Sequence, residues 1–597
     1  MDTNRLKRFA QEARTYLLDF VKTHLPLVLA ENSAARREKP QAVAELEKAR
    51  KAKGDEALID KIAYTWFNRF CALRFMDVMG YNPIRIVSPL PGHFQPEILE
   101  EAKGGNIDET FVTDPKLRAR IKDLLEGKIQ TVDGGQAEVY KLLLVSACNA
   151  YNKVMPFLFQ KIDDYTELLL PDDLMKENSI LMKTRDAITE DVAAGGVEVI
   201  GWLYQFYISE KKDEVMGKTV KTEDIPAATQ LFTPDWIVRY LVQNSLGRLW
   251  MLNHPNSKLA DEMEYYIPPT EDDKDFIEVK SPEELKICDP CCGSGHMLTY
   301  AFDLLVKIYE EEGYDRRKIP TLILVKNLHG VEIDTRAGDL AAFALTMKAR
   351  EYDSRFLRRE NAPHPQICVL ENITFEKDEI PQYMDAIGHD LFTETLQQTL
   401  HQFTQADCFG SLIIPKINDT AAIMDELSAK DVESNIFLSR IHNNVLAAIN
   451  QADFLSQKYH VVVTNPPYMG GKGMNADLKR FAERLYPDSK SDLFAMFIER
   501  CLQLVRHQGT IGMITMQSWM FLSSFEKLRT KLLDENTILS MAHLGARGFD
   551  SIGGEVVQTT AFTMTNTLIP DYKGAFIRLV DGNNEAEKAA MFREAVR

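Results

Sequence analysis

Cysteine is scarce in this chain, eight in 597 residues. The adjacent pair Cys291-Cys292 has no CxxC partner and no histidine cluster beside it, so reduced thiols are expected, without a disulfide framework and without zinc. No apolar run approaches the roughly 18 residues of a membrane-spanning helix. The N-terminus, charged at Asp2, Arg5, Lys7 and Arg8, lacks the apolar core of a signal peptide. A cytoplasmic protein with no membrane partner is therefore expected. Positive charge is also short: 70 Lys and Arg against 88 Asp and Glu give a formal charge of −18. That argues against coating nucleic acid through bulk electrostatics, while a basic cleft or a basic partner stays open. Two phosphate-binding signatures are missing too. The glycine loop ending Gly293-Ser294-Gly295 has Leu298 where a GxGxxG loop would place its third glycine, and it has no Gly-Lys-Ser/Thr ending, so no pyrophosphate cradle is implied.

With 45% hydrophobic and 26% charged residues, the composition is that of ordinary globular protein. Residues 1–220 read as a mainly helical domain, because apolar residues recur three and four apart, most clearly from Ile62 to Met79. The basic residues between Arg36 and Lys53 alternate with Glu38, Glu45 and Glu47, the pattern of a solvated helix face. From residue 221 to 597 the texture becomes strand, loop, helix, which implies a parallel sheet covered by helices on both faces. Strands are expected at 285–288, 328–333, 367–370, 461–464 and 510–515, with helices at 297–311, 335–350, 493–505 and 525–534. The chain between Asn372 and Asn465 is longer than a crossover needs, so a helical insertion is expected at about 376–457.

Three loops at strand ends carry candidate chemistry. Val461-Val462-Val463-Thr464 is a β-branched strand that stops at Asn465-Pro466-Pro467-Tyr468, where neither proline can continue the ladder. In open α/β sheets ligands bind at the carboxyl edge. A rigid loop there can aim a side-chain amide, a backbone carbonyl and an aromatic ring at one point, a set suited to a planar amino nitrogen. Asp289-Pro290-Cys291-Cys292-Gly293-Ser294-Gly295 lies between a strand and a helix, and its glycines permit close backbone approach to a ligand. His329-Gly330-Val331-Glu332-Ile333-Asp334 ends in acids: Glu332 suits the two hydroxyls of a ribose, and Asp334 suits a helix cap. The alternative for each loop is purely structural, a turn, a cap or a tight packing point.

Taken in order, Ala228-Thr229-Gln230-Leu231-Phe232-Thr233-Pro234, Asp-Pro-Cys-Cys-Gly-Ser-Gly, Gly-Val-Glu-Ile-Asp and Asn-Pro-Pro-Tyr resemble S-adenosylmethionine-dependent DNA adenine-N6 methyltransferases of the gamma arrangement. Asp492-Leu493-Phe494 and Gly512-Met513-Ile514-Thr515 stand where that family has its next motifs, so the resemblance covers about residues 226–565. The helical region, with Trp66-Phe67-Asn68-Arg69-Phe70, further resembles the PglX-like methyltransferases of type 1 BREX phage-defence systems. The resemblance implies a Rossmann-like S-adenosylmethionine-dependent methyltransferase domain behind a helical one, acting on double-stranded DNA beside other BREX defence proteins. Phe232, Thr233 and Pro234 would close over the methionine end of the cofactor. Asp289, Gly293 and Gly295 would line its amino-acid portion and Glu332 its ribose, with Glu371 or Asn372 near its adenine.

The expected chemistry is transfer of a methyl group to an adenine taken out of the duplex. Asn465 and the Pro466 carbonyl would accept the two N–H groups of the amine, in the turn fixed by Pro467. Tyr468 would stack on the flipped base, and Phe549 is a candidate for its other face. The sulfonium loses its charge in the reaction, so no metal is called for. Two rivals remain: a protein-glutamine methyltransferase, which also uses Asn-Pro-Pro-Tyr, and a noncatalytic cofactor-binding scaffold. Two further strings are weaker. Pro290-Cys291 resembles a cytosine-C5 nucleophile but lies inside the glycine loop, and Glu278-Val279-Lys280 resembles a nuclease fragment without an upstream Pro-Asp strand. PglX-like proteins continue into a large C-terminal target-recognition region, so the expectation is that this chain is an N-terminal fragment lacking it. It would then bind DNA weakly and without site preference.

Overall fold

A computed structural model describes residues 3–129, 131, 134–160, 165–215, 217–269, 274–387, 393–417, 419–430, 436–550 and 557–597. The chain divides into two compact units, Met1–Glu210 with Ala342–His364, and Lys211–Ala341 with Pro365–Arg597.

The first unit is helical. The helix Asp55–Val78 follows Gly54 at φ 79°, and Asp55 and Glu56 sit in its first turn, where carboxylates favour the helix dipole. The Trp66–Phe70 stretch of this helix is core. Trp66 Nε1 donates to Thr166 O at 2.9 Å. Arg69 is fully buried, its guanidinium 5.1 Å from the Trp66 ring centroid. At the helix end Asp77 accepts the backbone N–H groups of Ile86, Val87 and Ser88, each at 2.9 Å, and so folds the following loop onto the helix. The basic stretch is a solvated face: Arg36 pairs with Glu47 and Arg50 with Asp55, while Ala42, Val43 and Leu46 turn inward.

The second unit is built on an eight-stranded sheet. Its strands are β1 Ile287–Asp289, β2 Leu328–Glu332, β3 Gln366–Val369, β4 Tyr459–Thr464, β5 Val505–Met516, β6 Thr537–Gly545, β7 Thr559–Thr565 and β8 Ala575–Arg578. The order is β3-β2-β1-β4-β5-β7-β6-β8. All neighbours are parallel except those of β7, which runs against both β5 and β6. The five anticipated strands are β1 to β5, and the helices His296–Glu311, Thr335–Tyr352, Leu493–Leu504 and Glu526–Glu535 stand where helices were expected. The stretch between β3 and β4 is helical, with Glu379–Ile387, Thr393–Gln402, Thr420–Ser428 and Ile436–Ser456.

Strands β6, β7 and β8 were not anticipated. All seven residues of β7, Thr-Thr-Ala-Phe-Thr-Met-Thr, are buried, but four are threonines, so no apolar run betrays the strand. Hydroxyl pairing makes that burial tolerable. Thr563 Oγ1 and Ser540 Oγ lie 2.8 Å apart, and Thr565 Oγ1 donates to Gly509 O at 3.2 Å. Glu278-Val279-Lys280, the string that resembles a nuclease fragment, does not lie in a strand. The Asn253 side chain takes the place of a ladder, donating to Ile277 O at 2.9 Å and accepting from Val279 N at 2.8 Å. Among the described residues, no helix is long and apolar enough to cross a membrane.

Candidate active site

The chain leaves β1 towards β2 on one side and later returns to β4 on the other, so β1 and β4 are neighbours whose connections diverge. A crevice at the carboxyl ends of such a pair is the usual ligand site of an open α/β sheet. Here it holds a cavity walled by the glycine loop after β1, the acid end of β2, the Asn465 loop after β4 and the segment before Asp235.

After β1 the backbone turns sharply through Gly293 at φ 52° and Gly295 at φ 87°, conformations that favour glycine. Gly295 has a second constraint, since a Cβ there would stand 3.1 Å from Ala341 Cα. Two carboxylates hold the loop from within. Asp289, 2% exposed, accepts Cys291 N at 3.1 Å. Glu332, 8% exposed, accepts Gly293 N at 2.8 Å through one oxygen, and Ile333 N and Asp334 N at 2.9 and 3.0 Å through the other. Burial pushes both carboxyls up to about 7, and each feels a neighbouring acid, Glu332 for Asp289 and Asp334 for Glu332. Asp334 itself caps the next helix, accepting Arg336 N at 3.0 Å and pairing with the Arg336 guanidinium.

Asn465 is oriented by the segment before Asp235. Its Nδ2 donates to Leu231 O at 3.2 Å and to Thr233 Oγ1 at 3.0 Å. A carbonyl can only accept, so the bond to Leu231 O fixes which end of the amide is nitrogen. Asn465 Oδ1 is left buried, with no hydrogen-bond partner, in a side chain that lines the cavity. The following loop is tied down by Asp492, which caps the helix Leu493–Leu504 and accepts Met469 N at 3.0 Å. Tyr468 OH donates to Ile514 O at 3.1 Å, and its ring meets Phe494 edge-on at 6.2 Å.

Of the residues singled out from the sequence, the cavity wall gathers Phe232, Thr233, Asp289, Gly293, Glu332, Asn465 and Pro467. Pro234, Gly295, Asn372, Pro466, Tyr468 and Phe549 are not on it. Pro234 precedes the helix Asp235–Val242, and Pro466 is buried behind the loop. Asn372 accepts Asp407 N at 3.1 Å, and Phe549 is 3% exposed.

The wall also contains residues that sequence reasoning passed over. His296 packs on Phe232 with ring centroids 4.3 Å apart, and its Nδ1 is buried without a partner. Burial lowers its pKa to about 4, so it is a neutral donor or acceptor near pH 7. Only its place directly after the glycine loop could have flagged it. Cys408–Leu412 reaches the cavity from the helical stretch between β3 and β4. Ser411 Oγ donates to Pro290 O at 2.6 Å. The buried Arg500 donates to Ser411 O, Ile413 O and Leu455 O at 2.8, 2.9 and 2.7 Å. Replacing Arg500 by methionine leaves three buried carbonyls unpaired, at about 1–3 kcal/mol each. Arg500→Met is therefore expected to lower the thermal unfolding midpoint by several degrees, and an unchanged midpoint would show that this clamp carries no stability.

The fold is α/β and Rossmann-like, preceded by a mainly helical region. Residues 326–549 match the Eco57I restriction-modification methylase family. Across 98% of its length the chain is 43% identical to adenine-specific methyltransferase BrxX of Escherichia coli O9:H4 (strain HS). Across 100% it is 35% identical to adenine-specific methyltransferase PglX of Lacticaseibacillus casei (strain Zhang). The chain spans about half the length of these two relatives, 52% and 53%. Among solved structures, the Type IIL restriction-modification enzyme MmeI in complex with DNA is similar at a TM-score of 0.43 and 15% identity, over 88% of this chain and 59% of that one.

Proposed function

We propose that this chain holds the methyl-transfer centre of a site-specific DNA adenine-N6 methyltransferase that marks host DNA in a BREX phage-defence system. The observation that carries the reading is the buried, unpartnered Asn465 Oδ1 at the cavity wall. An adenine amine is planar and weakly nucleophilic because its lone pair is delocalised into the ring. A preorganised acceptor that draws on one N–H, with the Pro466 carbonyl drawing on the other, lets the nitrogen pyramidalise and turn its lone pair outward. Since Asn465 is already braced by Leu231 and Thr233, no reorganisation is needed as charge develops. Tyr468 stacks on the extruded base, offsetting the few kcal/mol that extrusion costs.

The cavity's donor set fits S-adenosylmethionine. When bound, that cofactor supplies the electrophilic methyl group. Glu332 has lone-pair capacity beyond its three backbone bonds, enough to accept a ribose hydroxyl. Asp289 offers a carboxylate to an ammonium, and Phe232 and Thr233 cover the methionine end.

Both carboxyls are raised to about 7, so each is largely protonated at pH 6 and ionised at pH 8. Binding that uses the ionised forms must release protons below about pH 7, so cofactor affinity is expected to rise between pH 6 and 8 and then level off. Calorimetry in buffers of different ionisation heat measures that release, and a flat affinity with no proton release would remove these carboxylates from the cofactor site.

The test of function is the identity of the product. Full-length protein incubated with methyl-labelled S-adenosylmethionine, duplex DNA and glutamine-containing polypeptide should yield labelled N6-methyladenine. Label recovered as methylglutamine would select the rival reading, and no transfer by an intact, cofactor-binding protein would select the scaffold.

A further inference from the structure

The wall opposite Asn465 is where the structure adds most to the sequence. Moving along the sheet order from the Asn465 loop past Asp289 to Glu332, the lining comes to Ile333 and to the segment Cys408, Phe409, Gly410, Ser411 and Leu412, whose Phe409 and Leu412 are apolar. Gly410 lets the two sides close. Its φ is 55°, and a Cβ there would lie 3.1 Å from Ile333 Cγ2. Phe409 is held by stacking on Phe481, with centroids 4.3 Å apart and planes at 11°, so the cavity receives its edge or opposite face. The segment is fixed at both ends, by Asn372 accepting Asp407 N at 3.1 Å and by Tyr486 OH donating to Leu412 O at 2.7 Å. Ser411 Oγ joins it directly to the glycine loop.

We propose that Cys408–Leu412, delivered by the helical stretch between β3 and β4, forms with Ile333 the slot for the purine ring of the cofactor. Phe409 and Ile333 supply its apolar faces. The inference rests on the reading that the cavity takes S-adenosylmethionine with its ribose at Glu332. The purine then continues past Glu332, away from Asn465, towards the apolar surface of Ile333, Phe409 and Leu412, where the Ser411 hydroxyl is already engaged by Pro290 O. The helical stretch is thus part of the cofactor site rather than an appendage, and Asn372 braces the slot.

The test uses the wild-type 597-residue chain and an S-adenosylmethionine analogue carrying an azide at purine C8. After irradiation, mass spectrometry should find the adduct within residues 406–413, suppressed by excess S-adenosylmethionine. Phe409→Ala should weaken S-adenosylmethionine binding by about tenfold, in keeping with loss of one base–aromatic contact. Phe409→Leu should recover part of that loss, and unfolding midpoints without ligand should show both variants folded at the temperature of the titration. The inference is overturned if the adduct falls on residues 370–373 with none in 406–413, or if Phe409→Ala binds within twofold of wild type. If the wild-type chain binds no S-adenosylmethionine while folded, the underlying reading of the cavity fails instead.

Discussion

Asn465→Ala is expected to lower adenine methylation by about a hundredfold to a thousandfold, the usual consequence of deleting one preorganised group that acts on developing charge. The loss should fall on turnover. On the proposed reading the side chain acts on the substrate amine through Oδ1, which has no partner within the protein. Its two donor bonds, to Leu231 O and Thr233 Oγ1, are ordinary neutral ones worth about 0.5–1.5 kcal/mol each. Even if both were spent on holding the segment over the cofactor, their combined loss of about 1–3 kcal/mol caps the fall in cofactor affinity at about 150-fold. Asn465→Asp separates the two roles. It keeps an acceptor for the amine but sets a carboxylate oxygen against the Leu231 carbonyl, so it should bind cofactor less well than Asn465→Ala, increasingly so as pH rises. Single-turnover rates and calorimetric titrations on the same preparations resolve the two effects. Asn465→Ala turnover within tenfold of wild type would mean that another group activates the amine.

Glu332→Ala is expected to abolish measurable cofactor binding. On the proposed reading the substitution removes the ribose acceptor, and each charge-assisted hydrogen bond lost is worth roughly 1.5–3 kcal/mol. It also orphans the N–H groups of Gly293, Ile333 and Asp334, and so releases the glycine loop from the end of β2. Glu332→Gln is not a neutral control. Its oxygen can serve Ile333 and Asp334, but its NH2 then faces the N–H of Gly293, donor against donor. An intermediate loss of affinity is expected for it, together with a shallower pH dependence, because one of the two carboxyls raised to about 7 is gone. Wild-type affinity in Glu332→Ala would remove this residue from the cofactor site.

The parts of this fold that announce themselves in sequence are those where one residue type does one job. The strand 461–464 is legible because β-branched residues fill a strand buried on both faces, and its end is legible because Pro466 and Pro467 stop the ladder. Asp334 reads as a cap because a cap needs only the next two residues. The β7 strand hides because its burial is achieved with threonines, and the hydroxyls of Thr560, Thr563 and Thr565 find partners on β6 and at Gly509, a compensation that periodicity does not register. The Cys408–Leu412 wall hides for a different reason. It touches Pro290 and Ile333 only because a long helical stretch folds back across the sheet edge, and no local pattern encodes a contact that distant. Asn372 illustrates both cases: its position at a strand end drew attention, but its partner is the backbone of Asp407, far along the chain.

The most direct measurement of the central claim is methylation sequencing of host DNA from three otherwise identical strains. One carries the complete gene with its neighbouring defence genes, one lacks the gene, and one carries Asn465→Ala. N6-methyladenine at a single recurring sequence in the first strain, and at none of those sites in the other two, is the expected result. The same sites methylated without the gene, or fully methylated with Asn465→Ala, would contradict the account.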